Sequence, residues 1–285
     1  MNIDKKLAKR KKKIRKKLKK RNWAQQAHPM FKASNIHYEF DGRHQGISYG
    51  GIGLIHLLAR KTGLLKEIDN NLELLKRHLP YHESDHIANM AYNILAGGTC
   101  LEDIELLRKN PAWLDALGTQ IIPDPTTAGD FLRRFEEQDV LDFMSAKNNI
   151  RKKIWEKQPS SFKKMAIINV DGTISETYGQ CKQGMDISYN GKWGYAPLII
   201  SLAGTREVLY VVNRSGNAPS HLDSAKWLDK TLDLVSDSFE KVYIRGDTDF
   251  SLTSNFDKWD KRCRFVFGMD ARNNLVKLAG QIPES

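Results

Sequence analysis

Residues 163–173, Lys-Lys-Met-Ala-Ile-Ile-Asn-Val-Asp-Gly-Thr, constrain the fold more than any other stretch of the 285-residue chain. Met165, Ala166, Ile167, Ile168 and Val170 form a short apolar run, the pattern of a strand buried on both faces. The run stops at Asp171-Gly172. In open α/β sheets, ligands and catalytic groups collect at that edge, because the strand fixes the side chain and the loop beyond leaves it open. Taken alone, the same residues also describe a plain strand end with an aspartate in the turn.

Before this strand the chain reads as helical. Ile52–Lys76 carries a helical pattern broken near Gly63. Ser84 is expected to cap the clearest helix, with Ile87, Met90, Ala91, Ile94 and Leu95 as its core stripe and Gly97-Gly98 as its stop. Leu101–Arg108 predicts a further helix, stopped by Pro111. Pro123–Thr127 is a turn into a helix with Phe131, Leu132 and Phe135 inward, and Val140–Lys157 continues the pattern. Arg133, Arg134 and Arg151–Lys153 lie on these segments, so one helix could face a DNA groove, although a plain helical core reads equally well. His78, His82 and His86 are spaced by four, a metal-ligand spacing on one helix. Pro80 interrupts that helix and Ser84 starts another, which weighs against a metal.

The pattern changes at Pro159-Ser160-Ser161. Ala196–Leu202 and Val208–Val212 predict a hairpin around Gly204-Thr205. Ser220–Leu234 predicts a helix with Leu222, Ala225, Leu228 and Leu232 inward. Lys241–Arg245 and Arg264–Phe267 predict two more strands, with a helix over Ser251–Lys261 between them. This order gives an α/β sheet, antiparallel at its start and parallel after the helix. Three segments follow: a basic tail at 1–22, a helical region at 23–158 and an α/β domain at 162–285.

The tail holds 13 Lys or Arg against one acid, while the rest of the chain holds 32 bases against 33 acids. Lys5, Lys6, Lys9, Arg10, Lys11, Lys12, Lys13, Arg15, Lys16, Lys17, Lys19, Lys20 and Arg21 therefore carry the whole excess of +11. Such a block is a self-repelling, disordered segment until a polyanion neutralises it. DNA is the expected partner, bound with a steep salt dependence. Leu7, Ile14 and Leu18 would then line a thin apolar stripe, too narrow and too poor in aromatics for a membrane surface. Cys100, Cys181 and Cys263 form no CxxC pair, and no apolar run is long enough to span a bilayer, so a cytoplasmic setting is expected.

Asp171 and Asp247 both end core strands of the proposed sheet. If those strands are parallel neighbours, the two carboxylates meet at one edge, where mutual repulsion favours a divalent cation between them. A competing reading starts from Asn169-Val170-Asp171-Gly172-Thr173, which resembles the Asp-x-Asp-Gly-Thr motif of haloacid-dehalogenase-type phosphatases. There the first position is the nucleophile, and an amide cannot accept a phosphoryl group.

The motifs Asn169–Thr173, Tyr189–Tyr195 (Tyr-Asn-Gly-Lys-Trp-Gly-Tyr), Asn213–Asn217 (Asn-Arg-Ser-Gly-Asn), Arg245–Phe250 (Arg-Gly-Asp-Thr-Asp-Phe) and Ile122–Phe131 together resemble the DDE transposases of bacterial insertion sequences. The resemblance implies a ribonuclease-H-like mixed sheet preceded by an all-helical region. It implies Asp171 as the first acid and metal ligand and Asp247 as the second, with Asp249 as the nearby alternative. Mg²⁺ or Mn²⁺ would be the cofactor. The implied reaction is cleavage at the element ends and strand transfer into target DNA. A third acid, a glutamate on a later helix, has no counterpart in the 18 residues after Phe267, and Glu284 does not replace it. The sheet is thus expected to be incomplete at its carboxyl end, and the chain to be an amino-terminal portion, inactive alone. It would then bind DNA without catalysis or pair with itself or full-length transposase as an inhibitor.

Overall fold

A computed structural model describes residues 9, 11–13, 15–16, 26–33, 49–179 and 182–282. The chain divides into two compact units, Met1–Ile150 and Arg151–Ser285.

The first unit is helical. Helices α1 (Ile52–Thr62) and α2 (Leu64–Asn71) are separated by Gly63, and α3 spans Glu83–Leu95. After a 3₁₀ turn at Leu101–Asp103 come α4 (Ile104–Arg108), α5 (Pro111–Leu117), α6 (Pro125–Leu132) and α7 (Glu137–Glu156). Pro111 begins a helix rather than only stopping one. The Asn110 side chain accepts hydrogen bonds from the Ala112 and Trp113 amides, and proline at the first helical position has no amide to leave unpaired. Asp124 and Pro125 start α6 in the same way. Phe131 is buried as expected, but Leu132 is exposed.

The largest departure from the sequence reading lies in α3. His82, not Ser84, precedes the first turn, and the Asp85 carboxylate accepts the His82 amide at 2.9 Å. Ser84 is buried within the turn, where its hydroxyl and amide both donate to Asp69. The expected apolar stripe is not the core face, since Ala91, Ile94 and Leu95 are exposed. The buried face carries Asp85, Ala88, Asn89, Tyr92 and Asn93, again at helical spacing.

Three of the buried polar side chains meet backbone from another segment. Asp85 accepts the Met30 and Phe31 amides, Asn89 donates to the Pro123 carbonyl, and Asn93 donates to that of Cys100. Around them Phe31, Ile52, Leu65, Tyr92, Ile104, Trp113 and Leu117 form the apolar core. His56 joins it through Tyr92 Oη at 2.9 Å and the Phe31 carbonyl at 3.0 Å.

The second unit is built on a sheet. The end of α7 belongs to it: Trp155 packs edge-on against Phe239 and donates to Glu207. After α8 (Ser160–Lys163), the strands are β1 (Met165–Gly172), β2 (Ser175–Glu176), β3 (Asp186–Ile187), β4 (Trp193–Tyr195), β5 (Leu198–Leu202) and β6 (Glu207–Val212). Helix α9 (Ser224–Val235), β7 (Lys241–Gly246), α10 (Phe256–Trp259), β8 (Arg264–Phe267) and α11 (Asn273–Ala279) follow.

The main sheet has the order β6-β5-β1-β7-β8. Strands β5 and β6 are antiparallel, whereas β7 and β8 run parallel to β1. A mixed five-stranded sheet in this order, following a helical region, has the ribonuclease-H-like arrangement. Ala166, Ile168, Val170, Leu198, Ile200, Leu202, Val242 and Ile244 are buried, as are Trp227, Leu228, Leu232 and Val235 of α9. That helix starts later than expected, which leaves Leu222 outside it and exposed. The helix expected over Ser251–Lys261 is reduced to α10 and two 3₁₀ turns. Strands β2, β4 and β3 form a small separate sheet.

A buried arginine fixes the loop between β6 and α9. Arg214 Nε donates to the Ala196 carbonyl at 2.9 Å, and Nη1 donates to Ser220 and Leu222, each at 2.8 Å. Burial lowers its pKa from the ordinary guanidinium value, an effect that Asp223 opposes. Replacement by Leu would strand several carbonyls, so Arg214→Leu is expected to cost about 3 kcal/mol or more in urea unfolding. A loss below about 1 kcal/mol would show that the loop holds without it.

The helical unit should respond to acid through His86. Its ring stacks on Phe131 at 4.4 Å between centroids, and burial with Arg134 nearby lowers its pKa to about 4. Protons therefore bind the unfolded chain first. The stability from neutral His86 is complete above pH 6.5 and lost as pH falls towards 4. His56, also lowered to about 4, acts in the same direction, while Asp69 and Asp85, raised mainly by burial, act against it. Comparison with His86→Leu isolates one group. Between those limits the wild type should lose about 1.4 kcal/mol per pH unit relative to the variant. A constant difference in urea midpoint across the window would contradict this account.

Candidate functional site

The parallel register of β1 and β7 builds the candidate site. Met165, Ala166, Ile167, Ile168 and Asn169 pair in turn with Lys241, Val242, Tyr243, Ile244 and Arg245. Side chains alternate between faces with period two. Ala166, Ile168 and Val170 are buried beside Val242 and Ile244, so Ile167, Asn169 and Asp171 share the opposite face with Tyr243 and Arg245. Two residues beyond the Asn169–Arg245 pair, Asp171 is still within β1, whereas Asp247 directly follows the last residue of β7. Both aspartates are exposed at the carboxyl edge of neighbouring strands, whose axes lie about 4.8 Å apart.

Asp247 precedes a 3₁₀ turn, Thr248–Phe250, and its Oδ1 accepts the Asp249 amide at 3.0 Å. This bond fixes the carboxylate and leaves its second oxygen outside that contact. Gly246 makes the approach possible, because a Cβ there would stand 2.8 Å from Val170 Cγ1 and 3.1 Å from Phe250 Cβ. Asp249 is exposed on the turn itself. Beside the pair, Arg245 Nε donates to Asn169 Oδ1. The amide at the phosphatase-nucleophile position is thus engaged as an acceptor.

Two features of this edge were not assigned from sequence. Arg214 lies beneath it, with Nη2 only 3.8 Å from where a Gly172 Cβ would stand. Its motif was visible, but its partners are loop carbonyls that no side-chain pattern announces. Gly216 of the same motif is needed for close backbone approach, since a Cβ would fall 2.2 Å from the Asp186 carbonyl and 2.6 Å from that of Gly194. It seats the loop against the small sheet, whose β3–β4 turn presents Tyr189 and Trp193 to solvent.

Two exposed carboxylates at the ends of neighbouring strands offer hard oxygen donors, the set that suits Mg²⁺ or Mn²⁺ better than a nitrogen- or sulfur-seeking metal. Among the described residues, no third acid, histidine or cysteine forms a close three-ligand group at this edge. Of the tail, Lys9, Lys11, Lys12, Lys13, Arg15 and Lys16 are helical and exposed. Lys5, Lys6, Arg10, Lys17, Lys19, Lys20 and Arg21 lie outside the described residues, as does Cys181. No helix among the described residues is long and apolar enough to cross a membrane.

No curated protein matches the chain. Among solved structures, the cryo-EM structure of a piggyBac transposase synaptic complex with hairpin DNA is similar at 11% identity and a TM-score of 0.34. The match covers 87% of this chain and 48% of that one, so this chain spans about half the length of that transposase. The likeness is too remote to add to the topology. Over residues 28–285, however, the sequence matches the transposase DDE domain, group 1. The chain therefore belongs to the group 1 family of transposase DDE domains.

Proposed function

We propose that this chain is the DNA-handling and metal-binding part of a transposase that cuts and joins DNA strands of an insertion sequence. The observation that carries the proposal is the β1–β7 register, which ends two residues before Asp171 on one strand and two before Asp247 past the end of the other. In this reading both aspartates hold Mg²⁺ or Mn²⁺. When bound, such a cation activates the attacking oxygen and stabilises charge on the leaving one.

The protein's own contribution is positional. The sheet fixes the backbone of Asp171, and the Asp249 amide orients Asp247. The Arg245–Asn169 pair occupies the same strand face. Two carboxylates alone should bind the metal weakly.

The polyanion is DNA, both element ends and target, with the basic tail as its first contact. The 23–158 region serves DNA binding or assembly, and the 162–285 region serves the chemistry. Pairing with another copy or with full-length transposase belongs to the same proposal. The setting is the cytoplasm, at the bacterial nucleoid.

Two measurements test this reading. In Mn²⁺ titrations followed by electron paramagnetic resonance, weak binding should be lost in both Asp171→Asn and Asp247→Asn. Equal binding by wild type and both variants would remove the metal pair. In DNA-binding titrations at several salt concentrations, deletion of residues 1–22 should flatten the plot of log K against log salt by about 0.9 for each phosphate that the tail neutralises. An unchanged slope would place the DNA-binding surface elsewhere.

A further inference from the structure

We propose that Arg245 binds a phosphate of the DNA strand and that Asn169 is the residue that positions it. The inference rests on the reading of the carboxylate edge as a DNA-handling site, and it names the cationic group that meets the strand there.

The register supplies the placement. Asn169 and Arg245 form the last pair of the β1–β7 ladder, on the face that also carries Asp171. Asp171 stands two strand residues further on, about 6.7 Å away. That is about twice the axial rise per nucleotide of one DNA strand. A strand laid across this face with one phosphate at the aspartates therefore sets a flanking phosphate near the guanidinium. The two aspartates repel such a strand until a cation covers them, so a fixed positive charge beside them offsets part of the repulsion.

Arg245 is free to play this part. Elsewhere in the sheet unit, Arg151 pairs with Glu207 at 3.2 Å, Arg264 pairs with Asp260 at 3.0 Å, and Arg262 pairs with Asp233. Arg214 is taken up by loop carbonyls. Among the described residues, no carboxylate pairs with Arg245. Its side chain is exposed, and its partner is the neutral Asn169 amide, whose Oδ1 accepts from Nε. Nη1 and Nη2 remain outside that contact, and these groups form the fork that matches phosphate oxygens.

The neutrality of the partner matters. An amide oxygen orients a guanidinium without cancelling its charge. Aspartate at the same position would form an ion pair and add a negative charge to the face that meets DNA. The amide at position 169 thus has a use that the phosphatase-like aspartate would not serve.

The test uses the full chain and a short DNA duplex, with EDTA in every buffer so that the outcome does not depend on metal. Hydroxyphenylglyoxal labels accessible arginines, and mass spectrometry locates the adducts without any variant. The duplex should protect Arg245 and leave Arg206 labelled, since Arg206 is exposed in the β5–β6 turn at the other end of the sheet. Equal labelling of Arg245 with and without duplex would overturn the proposal. Mn²⁺ titrations report on the aspartates alone, so the two readings can fail separately. In binding titrations, Arg245→Gln should weaken affinity by about tenfold, the scale of one charge-assisted contact. Arg245→Lys keeps the charge but not the fork and should recover only part of this. Unchanged affinity in Arg245→Gln would remove the contact. Asn169→Asp keeps the acceptor and the side-chain size, so a merely structural role would survive it. Here it should weaken DNA binding without moving the urea midpoint, and should cost less when combined with Arg245→Gln. Equal losses in both backgrounds would overturn the positioning role of Asn169.

Discussion

The parallel pairing of β1 with β7 is the constraint on which the second unit depends. A slip of one residue would turn every β7 side chain to the opposite face and send Asp247 away from Asp171. Apolar packing on the far side prevents the slip. Ala166, Ile168 and Val170 are buried on β1 with Val242 and Ile244 on β7, in register. The polar edge that faces solvent is therefore held by the hydrophobic effect acting through the thickness of the sheet. Close packing of Gly246 between Val170 and Phe250 then sets how far Asp247 stands from the strand.

The two units solve the burial problem in different ways. The sheet unit buries continuous apolar strands under α9 and places the buried Arg214 at a loop. The helical unit buries a row of polar side chains on its central helix. Glu83, Ser84, Asp85, His86, Asn89 and Asn93 all lie inside α3 or beneath its neighbours, while Ile94 and Leu95 face out. A buried polar group is tolerable only when hydrogen-bonded, and here nearly all of them are.

This contrast explains what could be read from sequence. Strands β1, β5, β6, β7 and β8 were legible because unbroken apolar runs between turn residues admit few other readings. The strands of the small sheet were not, since two or three residues paired through backbone leave no side-chain period. Apolar spacing points to the wrong face of α3, because it marks a core only when the core is apolar. Asn110-Pro111 and Asp124-Pro125 are the same starting signal, yet only the second was read as a helix start. At the candidate site, Asp171 and Asp247 were legible as acids at strand ends. Their adjacency depended on a register that no local pattern carries, and the roles of Arg214 and Gly216 depended on distant carbonyls.

The polar face of α3 also bears on how this sequence can drift. Asp85, Asn89 and Asn93 bind amides and carbonyls at Met30, Phe31, Pro123 and Cys100, not side chains. Every residue except proline offers the same amide, and every residue offers the same carbonyl. The partner segments are thus free to change their side chains, within their own packing limits, without any compensating change in the helix. Coupling of this kind leaves no correlated substitutions behind. The contacts that organise the helical unit would be silent in any comparison that seeks paired changes, and would show only as a helix that stays still while its neighbours vary.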